Sequence, residues 1–417
     1  MKQIAVFTMG TRGDIQPYLY LAQALEEAGH RVVLGTHPCW KQMIEQAGVS
    51  FAPIGPDVDI QLEAAVIRGK VKNPALSMLR TMNFVFRIIQ DSTDDILRVC
   101  RGKDLILVSH SQMGAVEAKV LGIPTVNVTL QVEMIPQTLK KQQLGEKLLG
   151  KLISSQMVKP YNKIGSNYGL AKFKSSDEVM SQRLDLIPLS PLVTQPSPWW
   201  EPQHIMTGYW YRDEADYQPP QELLSFLQAG EKPVILALGA MSFESRQERE
   251  KLDCFVRAFE KTGMRAIIQG FEKTLEDYEL PHTMMAVGSV PHSWLFMQGS
   301  FVIHHCGFGT ACASLLYGIP SIPVPHVLDQ FGFAQKLYEL GVSTQPLKVK
   351  ALSAQRVAEA VEDMKQNYHQ RKMRVVQLRE RLRAEQGLQT AVKLIEEVLA
   401  KGPDRPVRPR GIQENQT

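Results

Sequence analysis

The sequence Phe301-Val-Ile-His-His-Cys-Gly-Phe-Gly-Thr310 decides how the second half of this chain folds. Its first residues are apolar, as in a buried strand, and Gly307 and Gly309 form a turn that allows close backbone approach. Small residues follow Thr310, as at the start of a tightly packed helix. A strand, a glycine-rich turn and a helix make up the unit of a parallel α/β sheet, and the N–H groups at the helix start bind anions. The pattern therefore predicts a buried parallel-sheet unit whose turn holds an anionic group.

This decapeptide lies inside a longer segment without charge. Residues 280–328 contain no Lys, Arg, Asp or Glu, in a chain that is 22% charged, and they hold five of its ten histidines. The segment is long enough for a membrane span, but its five prolines would break a spanning helix. An apolar segment with so many helix breakers indicates the buried core of an α/β domain instead.

The same alternation of strand and helix opens the chain. Ile4–Thr8 reads as a strand, Gly10–Asp14 as a tight turn, and Pro17 as the first residue of a helix, where its missing N–H costs nothing. Arg31–Thr36 is the next strand and completes a βαβ unit. The alternation starts again at Val234. The sequence thus predicts an α/β chain with two doubly wound, Rossmann-like parallel-sheet domains that face a cleft.

Length and composition set the domain boundaries. A chain of 417 residues is longer than one ordinary hydrophobic core supports, which agrees with two domains. We place the first domain at residues 1–200 and the second at 201–384, with the proline-rich segment 188–220 as the connection. Residues 402–417 carry three prolines, three arginines and no aromatic residue, which predicts a disordered tail.

Charge and cysteine content narrow the functional classes. The net charge of +4 is small for this length, and no basic patch is interleaved with aromatic residues, so we predict no nucleic-acid partner. Five cysteines without a CxxC pair are typical of reduced thiols in the cytosol. The N-terminus lacks the long apolar region and the small-residue cleavage site of a signal peptide. These features predict a cytoplasmic protein, and none of them indicates its oligomeric state.

One basic segment leaves two interpretations open. Residues 138–163 hold six lysines against one glutamate, with leucines at helical spacing. Such a segment is either an amphipathic helix that contacts an anionic membrane, which would make the protein membrane-associated, or a solvated helical insertion.

Two patterns that could suggest a metal site lack the necessary spacing or context. Asp57-Val-Asp59 follows Pro56 in a loop and reads as a helix cap. His304 and His305 are adjacent, whereas a zinc pair on one helix face is four residues apart. We therefore predict no metal ligands.

Three motifs in register resemble one enzyme family. His304-His-Cys-Gly-Phe-Gly-Thr310, Gly318-Ile-Pro320 and Asp329-Gln330 resemble the donor signature of family 1 glycosyltransferases with the GT-B fold. Val290-Pro-His-Ser-Trp-Leu-Phe296 resembles the preceding segment of sterol-type glucosyltransferases. Gly10-Thr-Arg-Gly-Asp-Ile-Gln-Pro17 is similar to the acceptor loop of this group and of glycopeptide-antibiotic glycosyltransferases. Together the motifs cover nearly the whole chain.

The resemblance implies an activity. It implies an inverting, metal-independent transferase that needs no cofactor. The enzyme would move a hexose from a UDP-sugar to a hydroxyl of a hydrophobic acceptor, with glucose as the first candidate for the hexose. The acceptor would be a sterol or triterpenoid, a lipid or a natural product. The first domain would bind the acceptor and the second the donor, with the C-terminal helix, residues 385–401, packed back on the first domain. Two alternatives stay open: a nucleotide-sugar epimerase of the same fold, and a non-catalytic nucleotide-sugar binding protein.

The resemblance also implies roles for residues of the first domain. Thr11, Arg12 and Gly13 would form the acceptor loop, and Asp14 would be the general base that takes the acceptor hydroxyl's proton. His110 stands at the end of a predicted strand. It is either a second catalytic-site residue beside Asp14 or a packing histidine.

The donor residues are implied in the same way. Val290 and His292 would line the nucleoside. The diphosphate would be held by His305, Gly307, Gly309 and Thr310. Asp329 and Gln330 would bind the sugar hydroxyls. One position departs from the family, because Ala240 stands where a serine is common. Ser242, two residues further on, is our candidate for the missing phosphate-side hydroxyl.

Overall fold

The computed structural model describes residues 1–57, 74–140, 150, 154–213, 217–239 and 248–402, and they form two compact units. The first unit contains the described residues up to Pro191, the segment Gln195–Trp210 and the C-terminal segment that begins at Gln386. The second unit consists of Leu192–Thr194 and the described residues from Tyr211 to Glu385. The chain passes between the units after Pro191, Thr194 and Trp210, all within the predicted connection 188–220, which also contains the predicted end of the first domain at residue 200.

The first unit is built on a seven-stranded, fully parallel sheet in the order β3-β2-β1-β4-β5-β6-β7. Its strands are β1 (Gln3–Phe7), β2 (Arg31–Thr36), β3 (Ser50–Pro53), β4 (Leu105–Ser109), β5 (Thr125–Val128), β6 (Asp185–Ile187) and β7 (His204–Met206). Residues Ile4 to Phe7 of β1 are completely buried because helices cover both faces of a parallel sheet. A continuous apolar run, rather than an alternating one, is therefore what the sequence shows here.

Helices follow most of these strands. In the described part of the first unit they are α1 (Arg12–Glu27), α2 (Lys41–Gln46), α3 (Pro74–Asp91), α4 (Thr93–Cys100), α5 (Ala115–Leu121) and α6 (Lys159–Asn167). The C-terminal helix, α15 (Gly387–Ala400), completes the unit. It packs on α1, and the Nε2 atom of His30 lies 3.3 Å from a carboxylate oxygen of Glu396. Gly387 approaches the backbone so closely that a Cβ atom would lie 2.6 Å from the carbonyl oxygen of Tyr209.

The second unit repeats the plan with a five-stranded parallel sheet in the order β10-β9-β8-β11-β12. Its strands are β8 (Val234–Ala237), β9 (Ala266–Gln269), β10 (Met284–Val287), β11 (Val302–His304) and β12 (Ser321–Pro323). Its helices in the described part are α7 (Gln221–Gln228), α8 (Glu248–Thr262), α9 (Glu272–Leu275), α10 (His292–Gln298), α11 (Phe308–Leu316), α12 (Leu328–Glu339), α13 (Ala354–Gln366) and α14 (Tyr368–Arg383). Phe255 and Phe259 of α8 pack with Ile268 and Ile303 of the sheet in its core.

Each sheet reverses its strand order at one point. In the first unit the order reverses between β1 and β4, and in the second between β8 and β11. In open parallel sheets, ligands bind at such a switch point, beyond the carboxyl ends of the strands. The two parallel-sheet α/β domains that the sequence predicts are therefore confirmed, and the topology locates one candidate site in each unit.

Three predictions fall on parts of the chain that the structure describes incompletely. Residues 403–417 of the predicted tail and Asp59 of the Asp-Val-Asp pattern lie outside the described residues. Residues 141–149 and 151–153 of the basic segment also lie outside the described residues. Among the described residues, no helix is long and apolar enough to cross a membrane.

Glu117 is a carboxyl group in the core of the first unit. The side chain lies on α5 and is 1% exposed, and its Oε1 atom has no hydrogen-bond partner among the described residues. Burial raises the pKa of Glu117 to about 7, although hydrogen bonds with its own backbone, the Thr93 side chain and the Gly114 backbone lower it. Between pH 4.5 and about 7 the folded protein therefore binds more protons than the unfolded chain, and stability falls as the pH rises through this window.

Replacing this carboxyl group by a neutral amide removes the cost of ionising it. We expect Glu117→Gln to match the wild type at pH 4.5 and to be more stable by about 2–3 kcal/mol at pH 8. Thermal unfolding midpoints at the two pH values check this, with the exposed Glu133→Gln as the control. A stability difference that is the same at both pH values would contradict the assignment.

Candidate functional site

The first switch point carries Asp14 at the start of α1. The backbone N–H and the Oγ1 hydroxyl of Thr11 donate to Oδ2 of Asp14 at 2.8 and 2.9 Å. Thr8, at the end of β1, donates through Oγ1 to the Asp14 carbonyl at 3.1 Å. These bonds fix the carboxylate against the strand end and leave Oδ1 without a hydrogen bond among the described residues.

Gly10 makes room for this carboxylate. It has a φ of +130°, which L residues rarely adopt, and a Cβ atom there would overlap the carboxylate of Asp14. The indole N–H of Trp40 donates to the Gly10 carbonyl at 3.3 Å and holds the turn from outside. Of the other loop residues, Arg12 and Gly13 open α1, and Thr11 is its N-cap, with an extended backbone.

The helix start differs from the prediction. Pro17 was expected to be the first helical residue, but α1 begins at Arg12 and Pro17 lies inside it. The reason is the cap, because Asp14 accepts the N–H of Thr11 three residues before it and satisfies one of the free donors of the first turn. Asp14 is therefore both a helix cap and a carboxylate at the switch point.

His110 follows β4, the neighbour of β1, and is half-buried. Its Nδ1 atom is buried and has no hydrogen-bond partner among the described residues. Burial lowers the pKa of His110, while the negative charge of Asp14 opposes this. The imidazole is therefore neutral near pH 7, and it follows the strand that pairs with β1, the strand before Asp14.

The second switch point carries the glycine-rich turn. Gly307 is the N-cap of α11, and Gly309 and the buried Thr310 lie in its first turn. The first N–H groups of a helix have no acceptor within it, and the helix dipole gives them a partial positive charge. Cys306 adopts a φ of +61°, and its N–H donates to Nδ1 of His304 at 3.1 Å. The predicted strand, turn and helix are thus all present.

His305 occupies the space between two glycines. A Cβ atom on Gly239, which follows β8, would lie 2.9 Å from Cε1 of His305. A Cβ atom on Gly307 would overlap Nε2 of the same ring. Burial lowers the pKa of His305 to about 4, although the backbone of Ala237 raises it, and its Nδ1 atom has no hydrogen-bond partner among the described residues. The turn therefore presents a neutral imidazole with unused hydrogen-bonding capacity.

His304 has a different role from its neighbour. The ring is completely buried, and burial lowers its pKa far below the usual value, with the charges of His305 and His292 as smaller causes. Since its Nδ1 accepts from the Cys306 backbone, His304 shapes the turn from inside the sheet.

The segment predicted to line the nucleoside is partly buried. Val290 is 5% exposed, and its carbonyl accepts from Nε2 of Gln269 at 2.8 Å. His292 begins α10 and stacks on Phe296, with ring centroids 4.5 Å apart. Gln269 ends β9 and was not among the site residues predicted from the sequence. A polar residue directly after an apolar run was the available signal.

Asp329 and Gln330 lie in the first turn of α12. Oε1 of Gln330 accepts the backbone N–H groups of His326 and Val327 at 2.8 and 3.2 Å. The carbonyl end of this amide therefore caps the helix, and the NH2 end is left for a ligand. Asp329 is half-buried.

Two other predictions concern Ser242 and metal ligands. Ser242 lies outside the described residues. Among the residues that the structure describes, no group of three His, Cys, Asp or Glu side chains has the arrangement of a metal site.

Family models match both units of the chain. Residues 4–126 match the glycosyltransferase family 28 N-terminal domain. Residues 265–398 match the C-terminal domain of the erythromycin biosynthesis protein CIII-like family. The chain is a glycosyltransferase of the GT-B fold. The resemblance that the motifs indicate is thereby confirmed.

Related proteins agree with this assignment. The chain is 29% identical to a sterol 3-beta-glucosyltransferase of Neurospora crassa over an alignment of 430 positions, gaps included, that covers 94% of the chain but only 27% of that relative. It is also 29% identical to the O-mycaminosyltylonolide 6-deoxyallosyltransferase of Streptomyces fradiae over an alignment of 422 positions, gaps included, that covers 95% of the chain and 97% of that relative.

A solved structure shows the same fold. The glycosyltransferase VinC in complex with dTDP aligns with a TM-score of 0.72 at 20% sequence identity and covers 96% of this chain and 100% of its own. These matches do not favour an epimerase or a non-catalytic binding protein.

The packing of His305 leads to a test of the glycine turn of this glycosyltransferase. Gly307 has an ordinary φ of −60°, so a methyl group there causes no backbone strain and acts only by displacing the imidazole. We expect Gly307→Ala to lower the affinity for nucleoside diphosphates at least tenfold and the stability by about 1–3 kcal/mol. Isothermal titration and thermal unfolding measure both effects.

Gly288→Ala is the matched control, since a Cβ atom at this exposed position meets nothing within 4 Å. Equal effects of the two substitutions would show that the His305 contact is unimportant.

Proposed function

We propose that this glycosyltransferase transfers a hexose from a UDP-sugar to a hydroxyl of a hydrophobic acceptor, with glucose as the first candidate for the hexose. The transfer inverts the anomeric configuration and uses no metal ion. The observation that carries the donor half is the neutral imidazole of His305, held between Gly239 and Gly307 at the start of α11. An imidazole N–H and the free N–H groups of a helix start are the donors that a departing diphosphate requires.

The acceptor class rests on the relatives. One named relative glucosylates sterols, and another acts on O-mycaminosyltylonolide. We infer that the acceptor here is an alcohol on an apolar ring system, either a sterol or triterpenoid or a natural product. The chain spans 27% of the fungal relative, so the sterol is a starting point for assays.

The donor nucleotide is open to a direct comparison. UDP and dTDP share the base edge that pairs with adenine, and they differ at the methyl group of the base and at the 2′-hydroxyl of the ribose. The sterol-type resemblance favours a UDP-sugar, while VinC was crystallised with dTDP. We propose UDP-glucose as the donor and treat a dTDP-sugar as the competing outcome.

The catalytic step is assigned to the first switch point. We propose that Asp14 takes the proton of the acceptor hydroxyl while the oxygen attacks the anomeric carbon and the diphosphate leaves. The Thr11 bonds orient the carboxylate through Oδ2, so Oδ1 is the atom that takes the proton. His110 is proposed to line the same site and, as a neutral imidazole, to hydrogen-bond to the acceptor or to Asp14.

The reaction class is tested by turnover. Incubation with UDP-glucose and a panel of sterols and macrolide alcohols should release UDP and add one hexose mass to the acceptor, and dTDP-glucose should react at least tenfold more slowly. Isomerised sugar in the absence of any acceptor would establish the epimerase instead. Faster transfer from dTDP-glucose would correct the nucleotide and keep the transferase.

The role of Asp14 is tested by Asp14→Asn, which keeps an oxygen for the Thr11 N–H and removes the base. We expect transfer to fall by about 10²–10⁴-fold while UDP binds with nearly unchanged affinity. Steady-state rates and isothermal titration separate the two effects.

Asp104→Asn is the control, because Asp104 also accepts a backbone N–H, from Gln3 at 2.7 Å, but at the amino end of β1. If Asp14→Asn retains more than a tenth of the activity, the base is another group.

A further inference from the structure

His110 lies in a strained β-turn directly after β4. The turn consists of Ser109 to Gln112, and the N–H of Gln112 donates to the Ser109 carbonyl at 2.8 Å. His110 is the second residue of this turn, and Gln112, which closes it, has a φ of +55°, which L residues rarely adopt. Such a backbone persists only where the surrounding structure holds it, and it is often found at functional sites. The turn therefore needs contacts that keep it in place.

Tyr161 reaches this turn from α6. Its hydroxyl donates to the carbonyl oxygen of Ser111 at 2.8 Å, and the residue is only 6% exposed. The carbonyl of Ser111 and the N–H of Gln112 belong to one peptide group, which is planar. Tyr161 holds this group at its oxygen, and the Ser109 carbonyl holds it at its nitrogen. The backbone directly after His110 is thus fixed from both sides.

The position of the Tyr161 hydroxyl is itself set by packing. The ring lies edge-on against Phe86 of α3, with ring centroids 5.7 Å apart. α6 packs on α3 and on α5, the helix that follows the turn. The side-chain amide of Asn162 makes two hydrogen bonds with the backbone of Phe173, at 2.7 and 3.0 Å, which tie α6 down next to Tyr161. The hydroxyl therefore meets the turn as a fixed group on a packed helix.

A fixed turn matters because the imidazole of His110 is proposed to act at a definite place. Its Nδ1 atom is buried and has no hydrogen-bond partner among the described residues, so no bond from this nitrogen orients the ring. The direction of the ring then depends on the backbone beside it, which is the segment that Tyr161 holds. A reacting group misplaced by about 1 Å can slow an enzymatic step by about 100-fold.

We propose that Tyr161 is a positioning residue of the acceptor site, whose hydroxyl fixes the turn after β4 and thereby directs the imidazole of His110. The inference rests on the proposed function, which places His110 in that site. It gives the connection between β5 and β6, which lies outside the three sequence motifs, a role in the transfer step. A residue that acts on the acceptor side changes turnover and leaves the affinity for the donor as it is.

The alternative is that the Tyr161 hydroxyl only stabilises the fold. Its removal would then lower the unfolding midpoint and leave the properties of His110 unchanged. Tyr161→Phe separates the two roles, because it keeps the ring packed on Phe86 and removes only the hydroxyl. Tyr168→Phe, at the C-cap of the same helix, is the matched control. All measurements are made well below the unfolding midpoint of each variant.

The first measurement is steady-state transfer with UDP-glucose and the alcohol that reacts fastest in the turnover assay. We expect Tyr161→Phe to lower kcat by about tenfold, because the imidazole loses its fixed direction. The KM for UDP-glucose should stay within about twofold of the wild-type value. Tyr168→Phe should match the wild type in both parameters. A Tyr161→Phe protein with wild-type kcat would contradict the positioning role.

The second measurement combines Tyr161→Phe with His110→Asn in a double-mutant cycle. If Tyr161 acts through His110, its hydroxyl has nothing left to direct once the imidazole is gone. Tyr161→Phe should then lower kcat by less than about twofold in the His110→Asn background. The same tenfold loss in both backgrounds would show that Tyr161 acts on another group.

The third measurement needs no turnover. Burial lowers the pKa of His110, while the charge of Asp14 opposes this, and a loosened turn would admit water to the ring. We expect an NMR titration of the imidazole to show that the pKa of His110 rises by about 0.5 or more in Tyr161→Phe and stays unchanged in Tyr168→Phe. An unchanged pKa of His110 in Tyr161→Phe would overturn the inference.

The results separate this inference from the proposed function. A wild-type protein that releases no UDP with any acceptor would overturn the proposed function, and the titration of His110 would still decide whether Tyr161 holds the turn. If His110→Asn transfers sugar at the wild-type rate, the positioning role of Tyr161 falls with that of His110, and the transferase activity stands.

Discussion

The second unit depends on the parallel pairing of β8 with β11. This pairing places the turn after β8 beside the turn after β11, so that Gly239 and Gly307 enclose the ring of His305. Neither glycine can carry a methyl group without moving the imidazole. The enclosure also removes water from the ring and keeps it neutral. One backbone register therefore sets the position, the charge state and the hydrogen-bonding capacity of the group proposed to meet the diphosphate.

The first unit uses the same topology for a different purpose. Its strand order reverses between β1 and β4, and the two turns there carry Asp14 and His110. A carboxylate held by the Thr11 N–H at this point is suited to accept a proton, whereas the donor turn presents N–H groups suited to an anion. The two units thus share a fold, but the switch point of the first unit presents a negative group that accepts a proton, and that of the second unit presents N–H donors that suit an anion.

Several features of the site could be predicted because they depend on local sequence. The two glycine turns and the burial of the strands follow from glycine positions and apolar runs. The start of α1 was predicted wrongly, because Pro17 is a strong local signal but the Thr11–Asp14 cap is stronger. Gln330 was predicted to bind sugar hydroxyls, but the sequence did not show that its side-chain carbonyl accepts backbone N–H groups.

The sequence by itself determined the fold class, the family and the residues of both glycine turns, because these are written in contiguous segments of the chain. Only the tertiary structure decided which charged groups accompany them. Lys251 stands in the run Glu248-Arg-Glu-Lys251, which reads as a solvated helix face. It becomes a buried side chain beside His326, 75 residues away, because α8 packs on the core of the sheet. Burial and contact between distant segments set the charge states of Glu117, His305 and His326, and no local pattern records them.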